Sequence, residues 1–227
     1  MTGMTEGPCL SDETHWEKAA RTRMGKYLTK VETDFIKTSV DLSCTRMIMD
    51  VGAEAGRFSQ LSADDRTNVV SIDIDSYGLK RLRQKMKRVD VVQADARSIP
   101  FKDGTFDAIF MIEVLDYIPQ LNTVLSECNR TLRQGTPLIL SFGNKSSLKA
   151  RLREIGGKSY QHSYKQVVLT LQGSGLAAIR KTGYNWLPFG RMSENPLIST
   201  LGWAERAFGF RRVPSLSPWV LIRAEKM

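Results

Sequence analysis

Short apolar, β-branched runs alternate with amphipathic segments through the middle of this chain, and that alternation restricts the fold more than any other feature of its 227 residues. MIMDV (47–51), VVSIDI (69–74), VDVVQAD (89–95), FDAIFMI (106–112) and PLILSF (137–142) have the length and composition of buried strands. Between them SYGLKRLRQKMKR and LNTVLSECNRTLR carry helical spacing. Strands that are apolar throughout and separated by helices predict an α/β protein whose mostly parallel sheet is covered on both faces. Gly135, just past Arg133, suits a helix C-cap.

The flanks read differently. From Glu13 to Val40, Trp16, Ala20, Met24, Tyr27, Leu28, Val31 and Phe35 recur at helical spacing, which predicts an N-terminal helical cap over residues 1–45. RFSQL (57–61) restarts helical spacing after the first strand. Past Phe142 the pattern gives two more helices (KSSLKARLREIGG, YKQVVLTLQGSG), a strand (LAAIRKTGYNWLPF), an excursion with its own helix (NPLISTLGWAERAFG), and a last strand (SPWVLIRAEK). The main domain is expected over 46–227, with substrate-side elements within 151–218.

Charge is uneven: residues 1–150 hold 21 Lys+Arg against 20 Asp+Glu, and residues 151–227 hold 12 against 4. A basic last third attracts phosphates, nucleic acid or an anionic membrane surface. No apolar run approaches the roughly 18–20 residues of a membrane span, and the polar opening has no signal-like core; a cytoplasmic protein without a transmembrane segment is expected. Cys9, Cys44 and Cys128 have neither disulfide-framework nor zinc spacing, and with only His15 and His162 no metal site is expected.

In a doubly wound sheet ligands bind beyond the carboxyl ends of the strands. Acids fall there: Asp50, Asp73 and Asp75, Asp95, and Glu113. DVGAEAG lacks the dinucleotide GxGxxG pattern, and Glu54 would repel a pyrophosphate. The set suits a ligand with ribose hydroxyls and an amino group but no phosphate, and S-adenosylmethionine is such a ligand. Asp75 is also placed to cap the helix that begins near Ser76.

DVGAEAGRF, VVSIDID, QADARSIPFKDGTFDAIFMIEVLDYIP and LSECNRTLRQGTPLILSF, in that order, resemble the class I S-adenosylmethionine-dependent methyltransferases, in particular the small-molecule enzymes. The resemblance implies a seven-stranded Rossmann-like sheet and S-adenosyl-L-methionine as cofactor. It also implies roles. Asp50 with Gly52, Glu54 (where the family has its middle glycine) and Gly56 would meet the methionine end; Asp73 would accept the ribose hydroxyls and Ile74 would pack on adenine. Asp95 and Ala96 would hold the adenine edge, and Met111 or Ile112 would line the pocket. Glu113, Asp116 and His162 are candidates for catalysis, and Tyr117 and Asn144 for substrate contact.

Methyl transfer needs a nucleophile held close and on axis, with a general base if the acceptor is a hydroxyl or an ammonium. The place after the fourth strand reads IEVLDYIP, without the (N/D)PP(Y/F) motif of base-amino methylation, and Cys128 lies within a predicted helix. A small-molecule or lipid-like acceptor is therefore expected, with peripheral membrane contact through Leu197, Ile198, Leu201, Ala204 and Phe208 as one version. RNA methylation, or nucleic-acid binding without catalysis, is the alternative that the basic third keeps open.

Overall fold

The computed structural model describes residues 13–61, 66–155 and 162–227. Cys9 and the start of the expected cap lie outside the described residues, as do residues 156–161 of the expected substrate-side stretch.

Among the described residues seven strands form one sheet: β1 (Met47–Val51), β2 (Asn68–Asp73), β3 (Val89–Gln93), β4 (Ala108–Met111), β5 (Pro137–Gly143), β6 (Leu176–Tyr184) and β7 (Trp219–Lys226). Their spatial order is β3-β2-β1-β4-β5-β7-β6. β1 to β5 are parallel, and β7 runs antiparallel between β5 and β6. The chain builds outward from β1 in one direction, then from β4 in the other. Their carboxyl ends therefore part at the β1/β4 junction, where such sheets bind ligands.

Successive residues of each central strand serve opposite layers, as the two-residue period of a strand requires. Ile48, Phe110, Ile139 and Leu221 pack with Met24, Leu28, Val31 and Phe35 of α2 (Arg23–Lys37). Met49, Ile109, Leu138 and Val220 pack with Leu125 and Cys128 of α4 (Leu121–Thr131) and Val167 and Leu171 of α6 (Tyr164–Gly173). α3 (Ser76–Lys85) covers β2 and β3 through Leu79 and Leu82, and Asp75 caps it by accepting from the Tyr77 and Gly78 amides. α5 is Leu148–Ile155 and α7, inside the β6–β7 connection, is Ile198–Ala207.

The N-terminal pattern resolves into α1 (His15–Arg21) and α2, separated by Thr22, whose hydroxyl accepts from the Gly25 amide. RFSQL is not an α-helix: turns lead only to a 3-10 turn at Ser59–Leu61. Gly52, Glu54 and Gly56 all have positive φ, so no helical ladder can start before Arg57, and the Ser59 hydroxyl turns inward onto Asp50. Gly135 caps no helix, since α4 ends at Thr131; it sits at φ +72° in the turn before β5, donating to the Lys226 carbonyl.

Candidate functional site

A cleft of about 1510 Å³ lies over the carboxyl ends of β1, β2, β3 and β4. Asp50, Gly52, Glu54, Gly56, Asp73, Ile74, Asp95, Ala96, Ile112, Glu113 and Tyr117 line it, and α1 and α2 close its far side. Met111 does not reach it: the side chain is fully buried in the layer facing α4 and α6, because residue 111 points to the opposite face of the sheet from Ile112.

Asp50, next to last in β1, is almost wholly buried and accepts a 2.6 Å bond from Ser59 Oγ, which also lies 2.9 Å from Ser71 Oγ. Burial pushes its carboxyl up to about 7, against the bond from Ser59 and the nearby positive charge of Arg57. A proton is thus easily moved here near neutral pH.

The turn after it is tight against protein. A Cβ on Gly52 would stand 2.3 Å from Val114, and one on Gly56 would stand 2.3 Å from Leu82. Their bareness serves packing within the chain as well as the cleft. Glu54, at φ +46°, takes a conformation that costs a non-glycine residue about 1–3 kcal/mol. Two contacts hold it: its amide donates to Asp73 Oδ2 at 2.8 Å, and its carboxylate accepts from the Ala55 amide at 2.7 Å.

Asp73 is held from both sides, since Oδ1 also accepts from the Asp75 amide at 2.9 Å. A carboxylate has about four lone-pair sites, so acceptor capacity remains toward the cleft. Asp95 pairs with Arg97 at 2.6 Å and accepts from the Arg97 amide, and these bonds hold its carboxyl below the usual range. Ile74 stands 69% exposed at the mouth, an apolar surface without a protein partner over it.

The end of the cleft beyond β4 is built from charges that lie far apart in sequence. Glu113, at φ +63°, pairs with Arg57 at 2.9 Å and with Arg191. Arg57 also lies 3.4 Å from Glu32, which accepts from the Tyr184 hydroxyl at 2.7 Å. Burial opposes charge on both acids, but the outcomes differ. Arg57 and Arg191 hold Glu113 below the usual carboxylate range, while burial and the charge of Glu113 push Glu32 well above it. Glu113 is therefore an engaged anion and not a free base. Arg191 also lies 4.9 Å over the Trp16 ring, and Trp16 meets Tyr117 edge-on, so the cap and the β6–β7 connection meet above the cleft. Glu17 closes the other side through Arg81 at 2.6 Å and Lys85 at 2.7 Å.

Three further expected site residues, besides Met111, lie outside the lining. Asp116 accepts from the Gly143 amide. Asn144, fully buried, donates to the Ser215 and Ser217 carbonyls and accepts from the Ser146 and Tyr164 amides. His162 is 2% exposed, with Nε2 bonded to the Ile118 carbonyl and its backbone bridged to Asn144. Asp116 thus ties the segment after β4 to the end of β5, Asn144 ties that end to α6 and the β6–β7 connection, and His162 ties the residues before α6 to the segment after β4. Conversely, Trp16, Arg57, Arg97 and Arg191 are at the site without having been singled out for it. Arg57 and Arg97 had local signals, directly after Gly56 and two residues past Asp95; Trp16 and Arg191 arrive by tertiary contact.

Among the described residues no group of three His, Cys, Asp or Glu side chains gathers as a metal would require. Cys128 is fully buried, and burial pushes its thiol far up, so it is no nucleophile.

Residues 49–140 match the methyltransferase domain family. An uncharacterised protein of Methanocaldococcus jannaschii is 34% identical over 102 residues, 45% of this chain and 43% of that one. Ubiquinone biosynthesis O-methyltransferase of Xanthomonas oryzae is 28% identical over 139 residues, 58% of this chain and 56% of that enzyme. The chain thus spans about half the length of the curated relatives it matches. Among solved structures, N-methyltransferase NodS of Bradyrhizobium japonicum, in complex with S-adenosyl-L-homocysteine, superposes at TM-score 0.66 with 16% identity, covering 96% of this chain and 94% of that one. The cyclase SpnF superposes at 0.67 with 18% identity, covering 97% and 89%. These likenesses show the fold, which by itself hosts more than one chemistry.

Proposed function

We propose that this chain, whose residues 49–140 form a methyltransferase domain on the class I S-adenosylmethionine-dependent fold, moves a methyl group to a small-molecule or lipid-like acceptor. One observation carries the reading: Asp50, Asp73 and Asp95, from three successive strand ends, line a single cleft together with the Gly52–Gly56 turn. The residues present fit S-adenosylmethionine. A ligand with an ammonium, two ribose hydroxyls and an adenine amino group is matched by three separated carboxylates, and the exposed Ile74 offers an apolar face for a ring. When bound, the cofactor supplies a methyl group on a sulfonium, open to in-line attack.

The chain's own residues then have these tasks. Asp50, its carboxyl raised by burial, gives up its proton to solvent to receive an ammonium. Asp73, already fixed by the Glu54 and Asp75 amides, presents its remaining lone pairs to the ribose. Ile112 forms the apolar floor, and Trp16 with Tyr117 excludes water at the mouth. Glu113 positions Arg57 and Arg191 and leaves them less free to bind an anion. With Glu113 engaged and His162 outside the cleft, an acceptor that needs little help losing its proton is the best match.

The relatives that methylate small molecules support a small-molecule acceptor over RNA, as does a cleft roofed by α1 and Arg191. A cytoplasmic setting is part of the same proposal; no helix among the described residues is long and apolar enough to cross a membrane.

Calorimetric titration with S-adenosylmethionine and S-adenosylhomocysteine tests the reading. Micromolar binding by the native chain, weakened at least about tenfold in Asp73→Ala by loss of hydrogen bonds to a charged group, is the expected result. A native chain that binds neither ligand would overturn it.

A further inference from the structure

The apolar stripe of α7 does not face the core. Helical spacing puts Leu197, Leu201, Ala204 and Phe208 one above another, but the buried residues of the helix are Ile198, Gly202 and Glu205. Gly202 sets that rotation: Tyr27 of α2 lies so close that a Cβ there would come within 2.5 Å of its ring. The buried carboxylate of Glu205 agrees with it, accepting from the Trp186 amide and pairing with Arg211 at 3.2 Å.

The consequence is an exposed face of large apolar groups. Phe208 is 74% exposed and Trp203 63%, with Leu197 and Leu201 also outward. Directly after α7 the chain adds Phe210, Val213 and Leu216, all exposed. Scattered exposed leucines need no explanation, but aromatic and aliphatic groups concentrated in one segment mark a surface that is covered in use.

Charge identifies the cover. Between Asn195 and Ser217 the sole carboxylate is Glu205, and it is buried. Arg206 and Arg212 stand exposed beside the apolar groups. Two copies meeting through this face would bring arginines together with no exposed carboxylate between Asn195 and Ser217 to answer them, and Glu194 just before it lies against Arg23. An anionic lipid surface satisfies both components at once, taking tryptophan, phenylalanine and leucine into the headgroup boundary and arginine onto the headgroups.

We infer that the α7 segment, from Leu197 to Leu216, docks the protein on an anionic bilayer. The connection that carries it also brings Arg191 into an ion pair with Glu113, a residue of the cleft lining. The inference deepens the lipid-like reading of the acceptor, but it is tested without any methyl transfer.

The full chain is sedimented with phosphatidylcholine vesicles, with and without phosphatidylglycerol, at low and high salt. The expected result is binding to phosphatidylglycerol vesicles alone, released by salt. Leu201→Ser with Phe208→Ser should weaken it about tenfold or more; Arg206→Gln and Arg212→Gln should each cost about fivefold. S-adenosylmethionine affinity and the circular dichroism spectrum should be unchanged in every variant. No sedimentation by a chain that still binds the cofactor would overturn the docking and leave the proposed function standing. Equal sedimentation of all variants would overturn it too, as would a dimer in sedimentation velocity that the same substitutions dissociate.

Discussion

The cleft at the strand ends and the surface of α7 are made of similar materials, apolar groups with charges among them, yet they are built by opposite rules. In the cleft almost every charge has a partner fixed by backbone or by an opposite charge: Asp73 by two amides, Asp95 by Arg97, Glu113 by Arg57 and Arg191. On α7 the outward arginines and aromatics are left to solvent, and the one acid is hidden. The difference teaches where each region's free energy resides. The cleft is organised in advance of its ligand, whereas the α7 face is completed only by what it meets.

The largest test of that contrast removes one charge from the buried network. Arg57→Met leaves Glu113 with Arg191 as its remaining ion-pair partner and takes the positive charge away from buried Glu32, and should cost about 3–5 kcal/mol in urea unfolding. Adding Glu113→Gln to it should return much of the loss. A cost under about 1 kcal/mol for the single change would mean that the network is as weak as a surface pair.

Next comes Asp50. Its folded-state carboxyl titrates at about 7, above the unfolded value, so its contribution to stability is complete below about pH 4 and is lost as the pH rises through about 7. Asp50→Asn, which keeps an acceptor for Ser59, should therefore gain stability relative to the native chain as pH goes from 5 to 8. The upper bound over that window is about 3 kcal/mol, at about 1.4 kcal/mol for each of the roughly two pH units between pH 5 and the folded carboxyl's value. Denaturation midpoints measured across that range check it, and parallel pH profiles for the two proteins would sink it. If the proton is shed on binding, calorimetry in two buffers of different ionisation enthalpy will also give different heats.

A smaller effect sits in the turn itself. Glu54→Gly removes left-handed strain at φ +46° and frees the Ala55 amide, at the expense of chain entropy. A net gain of about 1 kcal/mol or less is expected, together with tighter cofactor binding. Weaker binding would show that the Glu54 carboxylate is itself a contact.

The smallest effect belongs to the other region. Leu201→Ser with Phe208→Ser, on the open face of α7, should change stability by no more than about 0.5 kcal/mol per site in the same urea experiment. A loss of several kcal/mol would show that the face is core after all.

Much of the molecule is legible in the sequence because it follows from local pattern. Five continuous apolar runs predict parallel strands, and an acid at the end of β1, β2 and beyond β3 predicts where a ligand would be met. Those acids do line the cleft. Legibility fails where side-chain direction matters. Met111 and Ile112 are adjacent and equally apolar, but the pleat sends only Ile112 to the cleft. Asn144 and His162 follow promising elements, yet Asn144 is held by the Ser215 and Ser217 carbonyls and His162 Nε2 by the Ile118 carbonyl, all far along the chain.

The sequence by itself determined the order of strands and helices, the glycine turn and the rank of strand-end carboxylates, because these depend on residues within a few positions of one another. Only the tertiary structure decided that Glu113 is an ion-paired anchor, that Arg191 reaches it from the β6–β7 connection, and that Tyr27 against Gly202 turns the stripe of α7 outward. Which groups meet across a packed core is set by shape and charge summed over the whole fold, and no local period encodes that sum.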